Sequence, residues 1–215
     1  MRSELVVSRF CEDLSWVKPF EAVVDHITIY DKSPGGGRDR IHLGGWSSSD
    51  GPDRAELWPG AIPVENVGCE SHTHMHHTVE RWGDLADFTV FLSGDAPGHY
   101  PGVLQTTADM LSRGRQYFPF CADRFECDQN GLPHINNRPF PELREGWNLF
   151  YPGEPMPDRF KFHGFGMYLV SKERLERWDV QTWMQARDWC QRKIHSMAME
   201  RLYDTLFGVA RTVRV

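Results

Sequence analysis

Apolar and polar residues follow several distinct patterns along the chain. Glu4 to Phe10 (ELVVSRF) is a short apolar run of the kind found in a buried strand. Glu12 to Phe20 (EDLSWVKPF) follows, where Ser15 can cap a short helix carrying Trp16, Val17 and Phe20. Pro19 limits that helix to its first turn. His26 to Tyr30 reads as a second strand. Strand, short helix, strand is the opening unit of a parallel α/β sheet.

Residues 33–63 are rich in Gly, Pro, Ser and Asp and read as a long loop, functional or disordered. A helix is expected from about Glu70, with His72, Met75, His76, Val79 and Trp82 at three- and four-residue spacing and Gly83 as its stop. DFTVFLSGD (87–95) is a third strand, and TTADMLSRGRQ (106–116) a further helix. Residues 117–160 show little periodicity and many Pro, Gly and aromatic residues, so they read as an irregular cover over the sheet. GFGMYLVSKERLERW (164–178) reads as strand then helix. Two amphipathic helices follow, the first capped by Asp179 with Trp183, Ala186 and Cys190 on its apolar side. No repeat or linker divides the chain. The expectation is one α/β domain over 1–215, a mostly parallel sheet flanked by helices, with two long irregular segments.

Composition narrows the partners. The chain has 215 residues, 40% hydrophobic and 25% charged, an ordinary globular balance. No apolar run approaches the roughly 20 residues that cross a bilayer, and the first residues lack a signal-peptide core. A cytoplasmic location and no membrane partner are expected. The net charge is -6, and Arg38, Arg40, Arg54, Arg113, Arg115, Arg211 and Arg214 are scattered. Nucleic acid is therefore not an expected partner. Five cysteines with no C-x-x-C pair read as free thiols in a reducing compartment.

The blocks LVVSRFCEDLSWV, ITIYDKS, ENVGCESHTHMHHTVERWGDLADFTVFLSGD, GFGMYLVSKERLER and AMERLYDTLF, in that order, resemble the uncharacterised family DUF3431. The resemblance spans most of the chain outside the two irregular segments and implies no activity. A wider resemblance is to glycosyltransferases of the GT-A type, which implies a nucleotide-binding α/β domain. Its matching positions are Arg9, Glu12 and Asp13; Asn66, Gly68 and Glu70; Ser93, Gly94 and Asp95; and Gly164 to Arg174. It implies a transferase that uses a nucleotide-activated donor such as a nucleotide sugar, with Mn or Mg. Two positions depart from that pattern. Cys69 stands where an arginine is expected, and Gly94-Asp95 with His99 replaces the D-x-D metal pair.

The candidate residues follow. Arg9, Glu12, Asp13, Asp31 and Lys32 lie just after the first two strands, where open α/β sheets bind ligands. With Asn66 they are the expected donor-binding set. Asn66, Gly68, Glu70 and His72 open the histidine-bearing helix, whose free N–H groups attract anions. Glu70, His72 and Glu200 are the expected catalytic residues. Asp95, His99 and His163 are the expected metal ligands, a carboxylate and imidazoles suiting Mn or Mg with phosphate oxygens completing the shell. His72 and His76 share a helical face; His74 and His77 belong to another, so the four cannot hold one ion. A metal-dependent hydrolase or oxygenase built on His72 and His76 stays an alternative. So does a catalytically degenerate binding protein on the same fold.

Overall fold

A computed structural model describes residues 1–33, 58, 60–132 and 140–208. Most of the loop expected over 33–63 lies outside these residues. The strands are β1 (Ser3–Arg9), β2 (His26–Asp31), β3 (Ile62–Pro63), β4 (Phe88–Ser93), β5 (Tyr117–Pro119), β6 (Arg124–Asp128), β7 (Arg159–His163) and β8 (Tyr168–Ser171). The helices are α1 (Glu70–Glu80), α2 (Ala96–His99), α3 (Val103–Ser112), α4 (Glu142–Phe150), α5 (Lys172–Leu175), α6 (Val180–Trp189) and α7 (Lys193–Phe207).

Among the described residues, six strands form one sheet in the order β3-β2-β1-β4-β8-β5, and β6 pairs with β7 in a separate two-stranded sheet. β1, β2, β3 and β4 are parallel, with Val6 between Thr28 and Phe91. β8 is antiparallel to both β4 and β5, so it is the one reversed strand in the six. The chain is thus a single α/β-type fold with a mixed, mostly parallel sheet.

Helices cover both faces, which is why β1 is buried over all seven residues and reads as nearly continuous apolar sequence. Val6, Tyr30, Phe91, Tyr168 and Val170 face a core shared with α4, α6 and α7, through Leu143, Trp147, Trp183 and Phe207. Leu5, Val7, Ile29, Val90, Leu92 and Leu169 face the other core, with Val17, Phe20, Val103 and Leu111. The segment carrying Val17 and Phe20 is a 3₁₀ helix, Ser15–Ala22, that continues past Pro19. Proline removes one N–H, and the weaker i to i+3 bonds of a short 3₁₀ helix make that loss small.

The expected irregular cover over 117–160 includes regular elements as well as irregular stretches, and residues 133–139 lie outside the described residues. It contributes β5, β6 and α4, and β7 begins at its end. Leu143, Trp147 and Phe150 recur on one face of α4 and are buried. Gly146 on that helix stands where an added Cβ would lie 2.7 Å from the Trp189 ring, so its small size permits close helix packing. The expected cap of α6 is present, with Thr182 N–H donating to Asp179 Oδ1 at 2.8 Å. All five cysteines are free.

Candidate functional site

The sheet order reverses direction between β1 and β4. From β1 the chain moves outward through β2 and β3, then returns to place β4 on the other side of β1. Ligands of open α/β sheets bind outside the carboxyl ends of strands at such a switch point. The loops after β1, β2 and β4, the N-terminal turn of α1 and the Gly164–Gly166 turn before β8 all lie at that end.

Four of the expected donor-binding residues, Arg9, Asp31, Asp13 and Lys32, are committed to the scaffold. Arg9 Nη1 meets Asp31 Oδ2 at 2.6 Å, with both side chains 5% exposed, and Arg9 Nε donates to the Glu12 carbonyl at 3.0 Å. This buried pair ties the ends of β1 and β2 together. Asp13 accepts the N–H and hydroxyl of Ser15 at 2.9 and 2.8 Å and so starts the 3₁₀ helix. Lys32 is also buried, and its Nζ donates to the carbonyls of Val67 and Cys69 at 2.9 and 2.7 Å. It places a cation behind the first turn of α1, beside Cys69. Burial pushes the Lys32 ammonium down and the nearby Glu70 opposes this. Asn66 is exposed on the approach to α1.

Four carboxylates stand in electrostatic contact across the strand ends. Burial pushes Glu12 up to about 6, against a hydrogen bond from the Phe10 N–H and with help from Asp95 and Glu70. Burial pushes Glu200 up to about 7, again helped by Glu70 and opposed by the Phe165 N–H. Glu70 is therefore central, close enough to act on Glu12, Lys32, Cys69 and Glu200. Gly94 permits this arrangement, since any Cβ there would collide with the Glu12 carboxylate. Cys69 is a thiol at neutral pH because burial raises it to about 11.

The turn before β8 completes the crevice. Phe165 has φ +67, rare for a residue with a side chain. Its ring lies on His99 at 4.4 Å, nearly parallel, and its N–H favours the charged form of Glu200. His99 Nε2 is 3.0 Å from Asp95 Oδ2. Cys11, in the loop after β1, is the other described non-glycine residue at positive φ. Backbone strain of this kind gathers at functional sites. Phe10 and Phe165 are each 39% exposed, two of the four large hydrophobics exposed among the described residues.

Of the expected metal ligands, Asp95 and His99 come together and His163 does not join them. His163 Nδ1 is 2.7 Å from Asp204 Oδ2, and the Tyr117 hydroxyl donates to Asp204 Oδ1 at 2.6 Å. Among the described residues, no group of three or more His, Cys, Asp or Glu side chains is placed to hold a metal ion.

The α1 histidines divide between two faces as their spacing predicts. His72 and His76 stack at 6.4 Å beside a cavity of about 390 Å³ that Arg187, Asp188 and Gln191 also line. Burial holds His72 down to about 4, with Lys32 and His76 adding to the effect. His74 and His77 face the sheet and pack on Phe91 at 4.7 and 5.7 Å. His77 lies between the Tyr30 hydroxyl (3.2 Å) and Glu4 (3.5 Å).

Sequence reasoning missed Phe165, Phe10, Asp204 and Tyr117. The Gly-Phe-Gly tripeptide was the available signal for the first, since two glycines flank the strained residue. No family model matches the chain, and no curated protein matches it.

Proposed function

We propose that the chain is a transferase of glycosyltransferase-like type that moves a group from a nucleotide-activated donor to an acceptor hydroxyl in the crevice between β1 and β4. The carrying observation is the coupled set Glu12, Glu70, Asp95 and Glu200 at the switch point, in which Glu200 is held near neutrality. A general base is most effective when its pKa lies near the working pH. Glu200 therefore takes the acceptor proton.

A crevice lined with carboxylates repels a diphosphate unless a divalent cation stands between them. Glu12 and Asp95 are hard oxygen donors that suit Mn or Mg. Mg sites commonly take one or two carboxylates and complete their shell from substrate phosphates and water, so two protein oxygens suffice. When bound, the cation neutralises charge on the departing diphosphate. Lys32 and the first turn of α1 supply further positive potential on the donor side. The resemblance of residues 164–174 to the acceptor-side segment of GT-A enzymes points the same way.

Thermal-shift and calorimetric titrations with nucleoside diphosphates, with and without Mn, test this reading. The expected result is stabilisation that needs both components and is lost in Asp95→Ala. Glu200→Gln is expected to keep donor binding and lose turnover. Absence of any nucleotide effect in the presence of Mn would overturn the reading. Stoichiometric zinc, copper or iron, lost in His72→Ala, would favour instead a metal-dependent hydrolase or oxygenase on His72 and His76.

A further inference from the structure

A second cleft lies at the opposite end of the sheet. β5 runs in the same direction as β4, since both are antiparallel to β8. Gln116, just before β5, is therefore at the far end from the carboxylate crevice. The cleft here has a volume of about 480 Å³ and is lined by Arg113, Gly114, Arg115, Gln116, Tyr117 and Arg174. Three of its six lining residues are arginines and none is acidic, in a chain of net charge -6.

Local structure fixes these guanidinium groups on one concavity. α3 ends in a paired motif: Gly114 N–H donates to the Leu111 carbonyl and Arg115 N–H to the Met110 carbonyl, both at 3.0 Å. Gly114 has φ +60, as such an end requires. The turn presents Arg113 and Arg115 on either side of the glycine. Arg174 comes from α5, which Ser171 caps. Ser171 also donates through its hydroxyl to Gln116 Oε1 at 2.5 Å, and through its N–H to the Gln116 carbonyl at 2.9 Å. These bonds hold α5 against the start of β5. Arg174 Nη1 donates to the Gly208 carbonyl at 2.6 Å, which orients its guanidinium and engages one of five N–H donors.

Charge balance in the cleft is incomplete. Among the described residues Arg113 alone of the three has a carboxylate partner, Asp109 at 2.7 Å. Arg174 is half-buried, and its burial and the neighbouring Arg177 push its pKa down against the opposing pull of Glu173. Three arginines with one carboxylate partner between them, lining a cavity of ligand size, match a multi-oxygen anion such as a phosphate, which guanidinium groups bind through paired N–H donors.

We propose that this cleft is a binding site for a small phosphorylated molecule, held through its phosphate by Arg115 and Arg174, with Arg113 at its edge. The site is independent of the crevice chemistry.

Calorimetric titration with sodium pyrophosphate, in EDTA and at low ionic strength, tests it. The expected result is one site per chain, weakened by added NaCl because the contacts are ionic. The double variant Arg115→Ala/Arg174→Ala is expected to weaken binding more than tenfold. Glu12→Gln, at the other end of the sheet, is expected to leave it unchanged. Arg115 is exposed, so Arg115→Gln alone gives a folded variant that must also bind more weakly. No binding by the wild-type protein, or equal affinity in the arginine variants, would overturn the proposal.

Discussion

The Phe165 ring stacks on His99 at 4.4 Å, from a backbone conformation that side-chain-bearing residues rarely adopt, and the Phe165 N–H favours the charged form of Glu200. One strained residue thus touches both the histidine beside Asp95 and the carboxylate that burial pushes up furthest.

Glu200 makes stability depend on pH. Its pKa rises from 4.5 to about 7 on folding, chiefly through burial, so the folded state holds a proton that the unfolded state releases first. Its contribution is fully present below pH 4.5 and is lost as pH rises through 7. Glu200→Gln is expected to be more stable than wild type at pH 8 by roughly 1–3 kcal/mol. The gap should close below pH 5 in urea melts across that range.

Phe165→Gly separates strain from function. Removing the side chain relieves a left-handed conformation worth about 1–2 kcal/mol. It also adds backbone freedom to the unfolded chain worth about 0.4–1 kcal/mol. The two nearly cancel, so the melting temperature should move by only a few degrees. Donor-dependent turnover should fall, because the ring contact that holds His99 beside Asp95 is gone. A large loss of melting temperature would show that the turn is a structural element instead.

Gly68 and Gly94 give opposite outcomes. Gly68 has φ +58, and a Cβ there collides with the Cys190 backbone carbonyl and comes within 2.8 Å of the His72 Cβ. Neither neighbour can give way, so Gly68→Ala should cost roughly 2–4 kcal/mol in chemical denaturation. At Gly94 the colliding group is the end of the Glu12 side chain, which can swing aside. Gly94→Ala should keep most of its stability and lose Mn-dependent nucleotide binding.

His74 makes the protein sensitive to acid. It is fully buried between Phe91 and Tyr168, and neither ring nitrogen has a partner. Burial holds its pKa well below 6.5, with Lys32 and His77 adding to the effect. Its contribution is present above pH 6.5 and is lost as pH falls. His74→Phe fits the same aromatic stack and removes two unpaired polar atoms. It should stabilise the protein by roughly 1–3 kcal/mol, with the gain growing as pH falls from 7 to 5 in thermal melts.

The sequence made some of this legible and not the rest. β1, β2 and β4 announced themselves because strands buried on both faces are written as apolar runs. The two faces of α1 followed from helical spacing alone. The crevice was located because Glu12, Glu70 and Asp95 sit at element ends. The position of β8 was not legible, because pairing Phe88 with Ser171 is a long-range event with no local trace. α4 was hidden by Gly146 and the proline before it, although Leu143, Trp147 and Phe150 carried its period. Arg9 and Asp31 read as ligand-binding because nothing in their spacing says that they bind each other.

The reversed strand also sets an order of assembly. β1, β2, β3 and β4 can associate while the nascent chain is emerging, but β4 then keeps one bare edge, Phe-Thr-Val-Phe-Leu-Ser. That edge stays open through the synthesis of β5, α4 and the β6–β7 pair, until β8 slots between β4 and β5. An uncovered apolar edge of this kind invites pairing with another chain. The Phe165 turn arrives with β8 and α7 follows it, so the crevice is completed only after the hazard has passed. Crowded or rapid expression should therefore trap β4-exposed aggregates, while chains that pass this point close the sheet and the site in one stroke.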